Sequence, residues 1–366
     1  MILTYFLFII GLVFLLAGAQ WLVDSSTGIA ARYEISPLFV GVVIVAFATS
    51  APEVAVSIGA ALGGEAGLAL GNVVGSNIVN VLLILGVTAV IAPIAIRRRI
   101  VLLDIPILIV LSLLVYLLSL DGVLQLWEGV LLLTLFAGFL VFQIKQIQRD
   151  SMPEPTEAEP PVQREVRPLP IQIGLFVTGL GTLILGARWM VGSAVEIALA
   201  WGMSELIIGL TVISVGTSLP EIATSVIAAL KGEQDLSVGN VVGSNIFNLL
   251  LVLGLSVVLS GGFAVSPAAV ALDIPFMVAV SIACLPIFFT GHRIARWEGG
   301  VFLFYYAAYL VYLFLDTTGH ELLPRFNTIM IWFVVPITLL TLGILVTRSL
   351  YLKRLANKAD ELSGRS

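Results

Sequence analysis

The chain has 366 residues, 59% hydrophobic and 11% charged, with a net charge of −5 and a mean hydropathy of +1.10. A soluble domain carries roughly 25% charged residues, and apolar runs of about 20 residues recur along nearly the whole sequence, so a soluble globule is excluded in favour of an all-α polytopic membrane protein. The single cysteine, Cys284, lies in an apolar run and permits neither a disulfide framework nor a cysteine-based metal site within one chain.

Eleven spans are predicted, at 2–23, 36–62, 67–91, 100–120, 125–147, 171–199, 204–230, 235–260, 267–290, 296–316 and 327–348. The first has the apolar body of a signal peptide but lacks a basic start. Its segment Gly18-Ala19-Gln20-Trp21-Leu22-Val23 returns 168 residues later as Gly186-Ala187-Arg188-Trp189-Met190-Val191. A repeated segment is read as a retained helix. Trp127, Trp297 and Trp332 fall near span ends, as interfacial aromatics should. Residues 150–168 are polar and rich in proline, a flexible linker between two halves.

The connecting loops alternate in charge. Sixteen Lys and Arg residues fall on one side, among them Arg32, Arg97, Arg98, Arg99, Lys231, Arg293 and Arg296, and the other side receives Arg325. Arg188 lies within a span. The positive-inside rule then puts the N-terminus outside and the C-terminus in the cytoplasm; the expected location is a prokaryotic inner (plasma) membrane. Arg97-Arg98-Arg99 is the topology anchor and meets anionic lipid.

Residues 67–86 match 235–254 at 14 of 20 positions. Asp104-Ile105-Pro106 answers Asp273-Ile274-Pro275, and Trp127-Glu128-Gly129 answers Trp297-Glu298-Gly299. Five spans therefore pair with five in order. Five is odd, so the second set enters from the opposite side, and the fold is an inverted 5+5 repeat plus one additional C-terminal helix. Such repeats place a substrate site near the midplane where the halves meet. The expected division is a first repeat over 1–149, a cytoplasmic linker over 150–170, a second repeat over 171–316, and an extra helix with a cytoplasmic tail over 317–366. The extra span serves packing, an oligomer contact or topology.

Thr49-Ser50-Ala51-Pro52-Glu53 and its echo Thr217-Ser218-Leu219-Pro220-Glu221 carry the chemistry. Each puts a carboxylate, two hydroxyls and a proline deep inside an apolar run. An ionised group at the bilayer centre costs about 2.5–3.5 kcal/mol on insertion scales. Proline removes a backbone donor and bends the helix, and freed carbonyls in lipid need a partner. Carbonyl, hydroxyl and carboxylate oxygens together make a hard-cation ligand set, and two carboxylates match one divalent charge. No His or Cys accompanies them, which argues against zinc or copper as cargo. One copy alone would read as a proline kink with a snorkelling Glu; two inverted copies argue for a shared site.

A second pair of motifs runs from Gly71 to Asn80 and from Gly239 to Asn248. Ser76 and Asn80 share one helical face, as do Ser244 and Asn248, and the glycines allow close helix approach. Asn72, Asn77, Asn240 and Asn245 either face the same bundle or bridge helices by hydrogen bonds. Asp104 and Asp273, each before a proline, read as helix caps.

The paired motifs GTSxPE and GNxxGSNIxN resemble the two alpha repeats of the sodium/calcium exchanger family, over residues 1 to about 316. The resemblance implies four binding-core helices, here spans 2, 3, 7 and 8, with spans 1 and 6 sliding across them. It implies a ligand set of Ala46, Thr49, Ser50, Glu53, Ser76 and Asn80 from the first half, and Ser214, Thr217, Ser218, Glu221, Ser244 and Asn248 from the second. Ala46 and Ser214 would act through backbone carbonyls. Phe47-Ala48 replaces the glycine usual before the first Thr-Ser, and Asn248 stands where some members have Asp.

The expected function is secondary antiport of Ca²⁺ against Na⁺ at one mid-membrane site. Ca²⁺ and Na⁺ are transported ions; no cofactor and no nucleic-acid partner is expected, and the sequence sets no oligomeric state. Competing readings are a proton/Ca²⁺ antiporter on the same fold and a passive cation channel. An ATP-driven pump lacks a GxxxxGK[ST] motif. An intramembrane protease dyad would not bring so many hydroxyl and amide oxygens, so no enzyme is expected.

Overall fold

The computed structural model describes residues 1–150, 167–203, 214–289 and 292–341, with 343 and 347. Most of the expected linker, the start of span 7 and the C-terminal tail lie outside the described residues. The helices are α1 (Ile2–Arg32), α2 (Pro37–Thr49), α3 (Ala51–Leu62), α4 (Ala66–Ile91), α5 (Ile100–Leu118) and α6 (Leu126–Asp150). They continue as α7 (Leu169–Ala200), α8 (Leu219–Leu230), α9 (Gln234–Ser260), α10 (Ala269–Phe288), α11 (Arg296–Thr317) and α12 (Leu323–Thr341). Among the described residues nine are long and apolar enough to cross a membrane, and α2 with α3 form a tenth crossing bent by 45°. α8, with the helical turn Ser214–Gly216 before it, is the described part of the expected seventh span.

The bend falls where the sequence places it. Ser50, between α2 and α3, has φ −79° and ψ 6°, and Ser218, just before α8, has φ −87° and ψ 6°. In both, proline in the first turn of the new helix starts it without needing its own N–H. Helices α2, α4 and α9 also contain wide π-helical stretches, over Val40–Val45, Val79–Leu85 and Asn248–Val252. Such turns re-aim side chains and are common at functional sites. Asn80 and Asn248 sit in the last two.

The inverted repeat is visible in packing that crosses between the copies. α1 lies along α7, α5 along α10, α6 along the end of α9, and α11 along the end of α4. Ser112 and Ser281, equivalent residues on α5 and α10, meet at 3.3 Å near the symmetry axis. One hydrophobic core draws on both copies, from Leu38 and Val73 to Val241 and Phe288.

Among the described residues four short strands depart from the all-helical expectation. β1 (Ile94–Ala95) pairs antiparallel with β4 (Arg293–Ile294), and β2 (Val123–Gln125) with β3 (Gly262–Ala264). Each ribbon ties a loop of one copy to a loop of the other, and the two ribbons are symmetry mates. Strands of two or three residues carry too little alternation to be read from sequence. Beside β1, Arg97 pairs with Asp235 at 2.6 Å and Ala95 N–H donates to Gln234 at 2.7 Å. Lys231 pairs with Asp24 at 2.6 Å. Arg97, Lys231 and Arg293 thus belong to one face.

Asp104 and Asp273 are not helix caps. Asp104 is fully buried with helical backbone angles and no capping bond. It accepts from Gln143 Nε2 at 3.0 Å and faces Arg99 at 3.8 Å. Asp273 accepts from Tyr309 Oη at 3.2 Å. In both cases a π-helical turn precedes the proline and carries the aspartate into the helix, towards a neighbour on α6 or α11. Removing one member of a buried ion pair strands its partner and costs about 3–5 kcal/mol. Asp104→Ala is therefore expected to lower the thermal unfolding midpoint sharply, and a midpoint equal to wild type would show that Arg99 finds solvent instead.

Candidate functional site

The site forms where the two bends meet. Glu53 and Glu221 each lie in the first turn after their proline and are each 1% exposed. Each carboxylate is held by a serine of the opposite copy. Ser218 Oγ donates to Glu53 Oε1 at 3.3 Å, and Ser50 Oγ donates to Glu221 Oε1 at 3.2 Å. Reciprocal bonds of this kind bring both acids into one cluster and turn neither towards lipid.

The threonines repeat the pattern one residue earlier. Thr49 Oγ1 donates to Asn240 Oδ1 at 3.1 Å, and Thr217 Oγ1 to Asn72 Oδ1 at 3.4 Å. The asparagine amides are anchored in turn: Asn72 Nδ2 donates to Ser57 Oγ at 2.8 Å, and Asn240 Nδ2 to Ser225 Oγ at 3.0 Å. Asn80 Nδ2 donates to Asn245 Oδ1 at 2.9 Å, joining α4 to α9. Hydrogen bonds therefore close a ring through the two bends, α4 and α9.

A hydroxyl that spends its proton on a carboxylate or amide keeps its lone pairs for another donor or a cation. Thr49, Ser50, Thr217 and Ser218 are all in this state. Further buried oxygens have no partner among the described residues: Glu53 Oε2, Glu221 Oε2, Ser76 Oγ, Ser244 Oγ, Asn80 Oδ1 and Asn248 Oδ1. Buried polar atoms are normally satisfied, and each left bare costs about 1–3 kcal/mol. A set of bare oxygens with two carboxylates fits a hard cation.

The expected ligands divide as follows. Thr49, Ser50, Glu53, Thr217, Ser218 and Glu221 are drawn together by direct bonds. Ser76, Asn80, Ser244 and Asn248 are buried on α4 and α9 with bare polar atoms. Ala46 is buried, and its carbonyl accepts Ser50 N–H at 3.0 Å, which leaves it a second lone pair; Thr49 Oγ1 lies 3.4 Å from it but gives its one proton to Asn240 at the shorter 3.1 Å. Ser214 begins the helical turn Ser214–Gly216 just before the second bend. Of the two roles open to Asn72 and Asn240, the structure selects bridging. Ser57 and Ser225, which anchor them, were missed by sequence reasoning. Their signal was there: each follows its glutamate by four residues, on the same face. Ser57→Ala takes away the nearer of two acceptors of the Asn72 amide, which also donates to Glu53 O at 3.3 Å, and the one N–H left stranded, worth about 1–2 kcal/mol, predicts a roughly tenfold fall in transport rate with the fold intact; unchanged flux would remove Ser57 from the site.

The surroundings of the ring are not symmetric. A cavity of about 590 Å³ lies between α7, α3 and the second bend, with Pro52, Val56, Arg188, Val191 and Thr217 in its wall. Ala55 and Val56 are exposed there, whereas their equivalents on α8, Ala223 and Thr224, are buried beneath α1. Val23 of α1 is likewise fully buried, whereas its equivalent on α7, Val191, is half-buried in the cavity wall. α3 runs from the bend towards the 63–65 loop, and α7 towards the 201–203 loop. The protein is therefore open beside the site on the face of those loops. It is closed on the face of the Asp24–Lys231 pair.

The profile of the family described as sodium/calcium exchanger protein matches residues 3–145 and 171–315. The chain is 35% identical over 288 residues to inner membrane protein YrbG of Escherichia coli, covering 77% of this chain and 87% of the relative. It is 30% identical over 348 residues to sodium/calcium exchanger MaX1 of Methanosarcina acetivorans, covering 85% and 98%. A solved structure of the sodium-calcium exchanger NCX_Mj, soaked with Na⁺ and Sr²⁺, superposes with a TM-score of 0.71 at 30% identity, over 84% of this chain and 97% of that one.

Proposed function

The chain belongs to the sodium/calcium exchanger family, and from that premise we propose that it exchanges Ca²⁺ for Na⁺ at the ring of oxygens between the two bends, exposed to one face of the membrane at a time. It is an integral membrane protein of a family of cation/Ca²⁺ antiporters, which are transporters rather than enzymes. The observation that carries the finer reading is the donor set. Glu53 and Glu221 supply the charge that one Ca²⁺ requires. Thr49, Ser50, Ser76, Asn80, Thr217, Ser218, Ser244 and Asn248, with the carbonyls of Ala46 and Ser214, complete neutral oxygen shells around Ca²⁺ or around Na⁺. Proton coupling would need the carboxylates and only the roughly six to eight oxygens that one Ca²⁺ takes; the further neutral oxygens of the set are what several Na⁺ positions add to the requirement.

The N-terminus is assigned to the outside and the C-terminus to the cytoplasm, supported by the loop-charge alternation and by the shared face of Arg97, Lys231 and Arg293. The open cavity then faces outwards, the side from which Na⁺ would bind.

Radiolabelled Ca²⁺ uptake into reconstituted vesicles under imposed Na⁺, H⁺ or K⁺ gradients tests the proposal. Uptake is expected to follow an opposed Na⁺ gradient and to be indifferent to K⁺. Uptake that follows protons and ignores Na⁺ would replace the coupling ion, and unsaturable flux without counterflow would replace the antiporter.

A further inference from the structure

The cavity beside the site contains a charge of the sign that repels its cargo. Arg188 is exposed within it and is the one charged residue among the described residues of its wall. Among the described residues no hydrogen bond or ion pair ties its guanidinium down. Thr217, whose hydroxyl belongs to the ring, lines the same cavity. Arginine inside a span faces water or the bundle interior rather than hydrocarbon, so the cavity around it is wet. Its repeat equivalent on α1 is the neutral Gln20, on the closed side. The two halves share their acids and hydroxyls but not this charge.

We propose that Arg188 is a valence filter in the access path: its positive charge lowers Ca²⁺ occupancy from the open face more than it lowers Na⁺ occupancy. The inference rests on the exchange of Ca²⁺ for Na⁺ proposed above. Electrostatic energy scales with the charge of the ion, so whatever factor one positive charge imposes on Na⁺ is squared for Ca²⁺. Low-dielectric walls focus that field on ions in the cavity. For a charge about 10 Å from the ion in a partly aqueous path, the factor is about 3 for Na⁺ and therefore about 10 for Ca²⁺. On a face where Na⁺ is taken up and Ca²⁺ is let go, the filter discourages the released ion from returning.

The test measures half-saturating Ca²⁺ and Na⁺ from each face in vesicles holding the full chain. Arg188→Gln is expected to lower the half-saturating Ca²⁺ concentration about tenfold and that for Na⁺ about threefold from the open face, with values from the other face unchanged. Arg188→Lys should behave as wild type, and added choline chloride should shrink the difference. The converse variant, Gln20→Arg, should raise half-saturating Ca²⁺ from the opposite face, and it carries the test by itself if Arg188→Gln fails to fold. Equal shifts for the two ions, equal shifts from both faces, or no shift in either variant while wild type exchanges normally would overturn the filter alone. Absence of Ca²⁺/Na⁺ exchange by the unsubstituted chain would overturn the proposed function and the filter with it.

Discussion

Glu53→Gln is expected to abolish Ca²⁺ exchange, by at least about a hundredfold, while the protein still folds. The substitution keeps the shape and the acceptor that Ser218 Oγ uses at 3.3 Å. It removes one of two charges at a site where both acids are 1% exposed and water cannot substitute for them. Two unit charges about 4 Å apart attract by roughly 4 kcal/mol at an effective dielectric of 20, and a divalent ion doubles the term. Even a third of that matches the roughly 2.7 kcal/mol that a hundredfold loss represents. Glu221→Gln should give the same loss, because Ser50 holds it in the mirror-image arrangement. Ca²⁺ counterflow and a thermal unfolding curve on the same preparation decide the matter. Wild-type flux in either variant would take that carboxylate out of the site, and a protein that no longer folds would mean the charge is structural.

Gly186→Ala is expected to be severely damaging although it adds a single methyl outside the site. α1 and α7 touch backbone to backbone: a Cβ on Gly186 would lie 2.4 Å from Leu15 N and 2.7 Å from Gly11 O. Gly18 and Gly179 make the symmetric contact, with a Cβ on Gly18 2.5 Å from Leu183 N. Neither obstacle is a side chain that can swing away, so the helices must part. Overpacking of this kind costs about 1–3 kcal/mol. Thr4 Oγ1 also donates to Glu196 Oε2 at 2.9 Å further along the pair, so parting the helices strains a second contact. The expected result is a lowered unfolding midpoint and a transport rate reduced by about an order of magnitude. Gly181→Ala, on the same helix with nothing within 4 Å of the new methyl, is the control and should leave both unchanged. Equal behaviour of the two variants would show that the α1–α7 contact is not needed at this spacing.

Some of this molecule is written along one dimension. An apolar run long enough to cross a bilayer is a local property, and loop charge is local too, so the spans and their alternation were legible residue by residue. The inversion followed from counting, because five repeated spans must reverse direction. Thr49 to Glu53 and Thr217 to Glu221 announced themselves because lipid makes a buried carboxylate expensive wherever it occurs. What the linear pattern could not carry was which residue of one copy meets which of the other. The bonds Ser50–Glu221, Ser218–Glu53 and Thr49–Asn240 join positions 165 to 191 apart, with no periodicity to mark them. Asp104 looked like a cap because Gln143 on α6 cannot be seen from its neighbours in sequence. The open cavity is the deepest case. Two nearly matching repeats imply two equivalent sides, yet α1 covers α8 while α7 leaves α3 bare. Asymmetry of that kind belongs to the packing a chain adopts in one state, and a repeated sequence does not specify which of its two equivalent sides stands open.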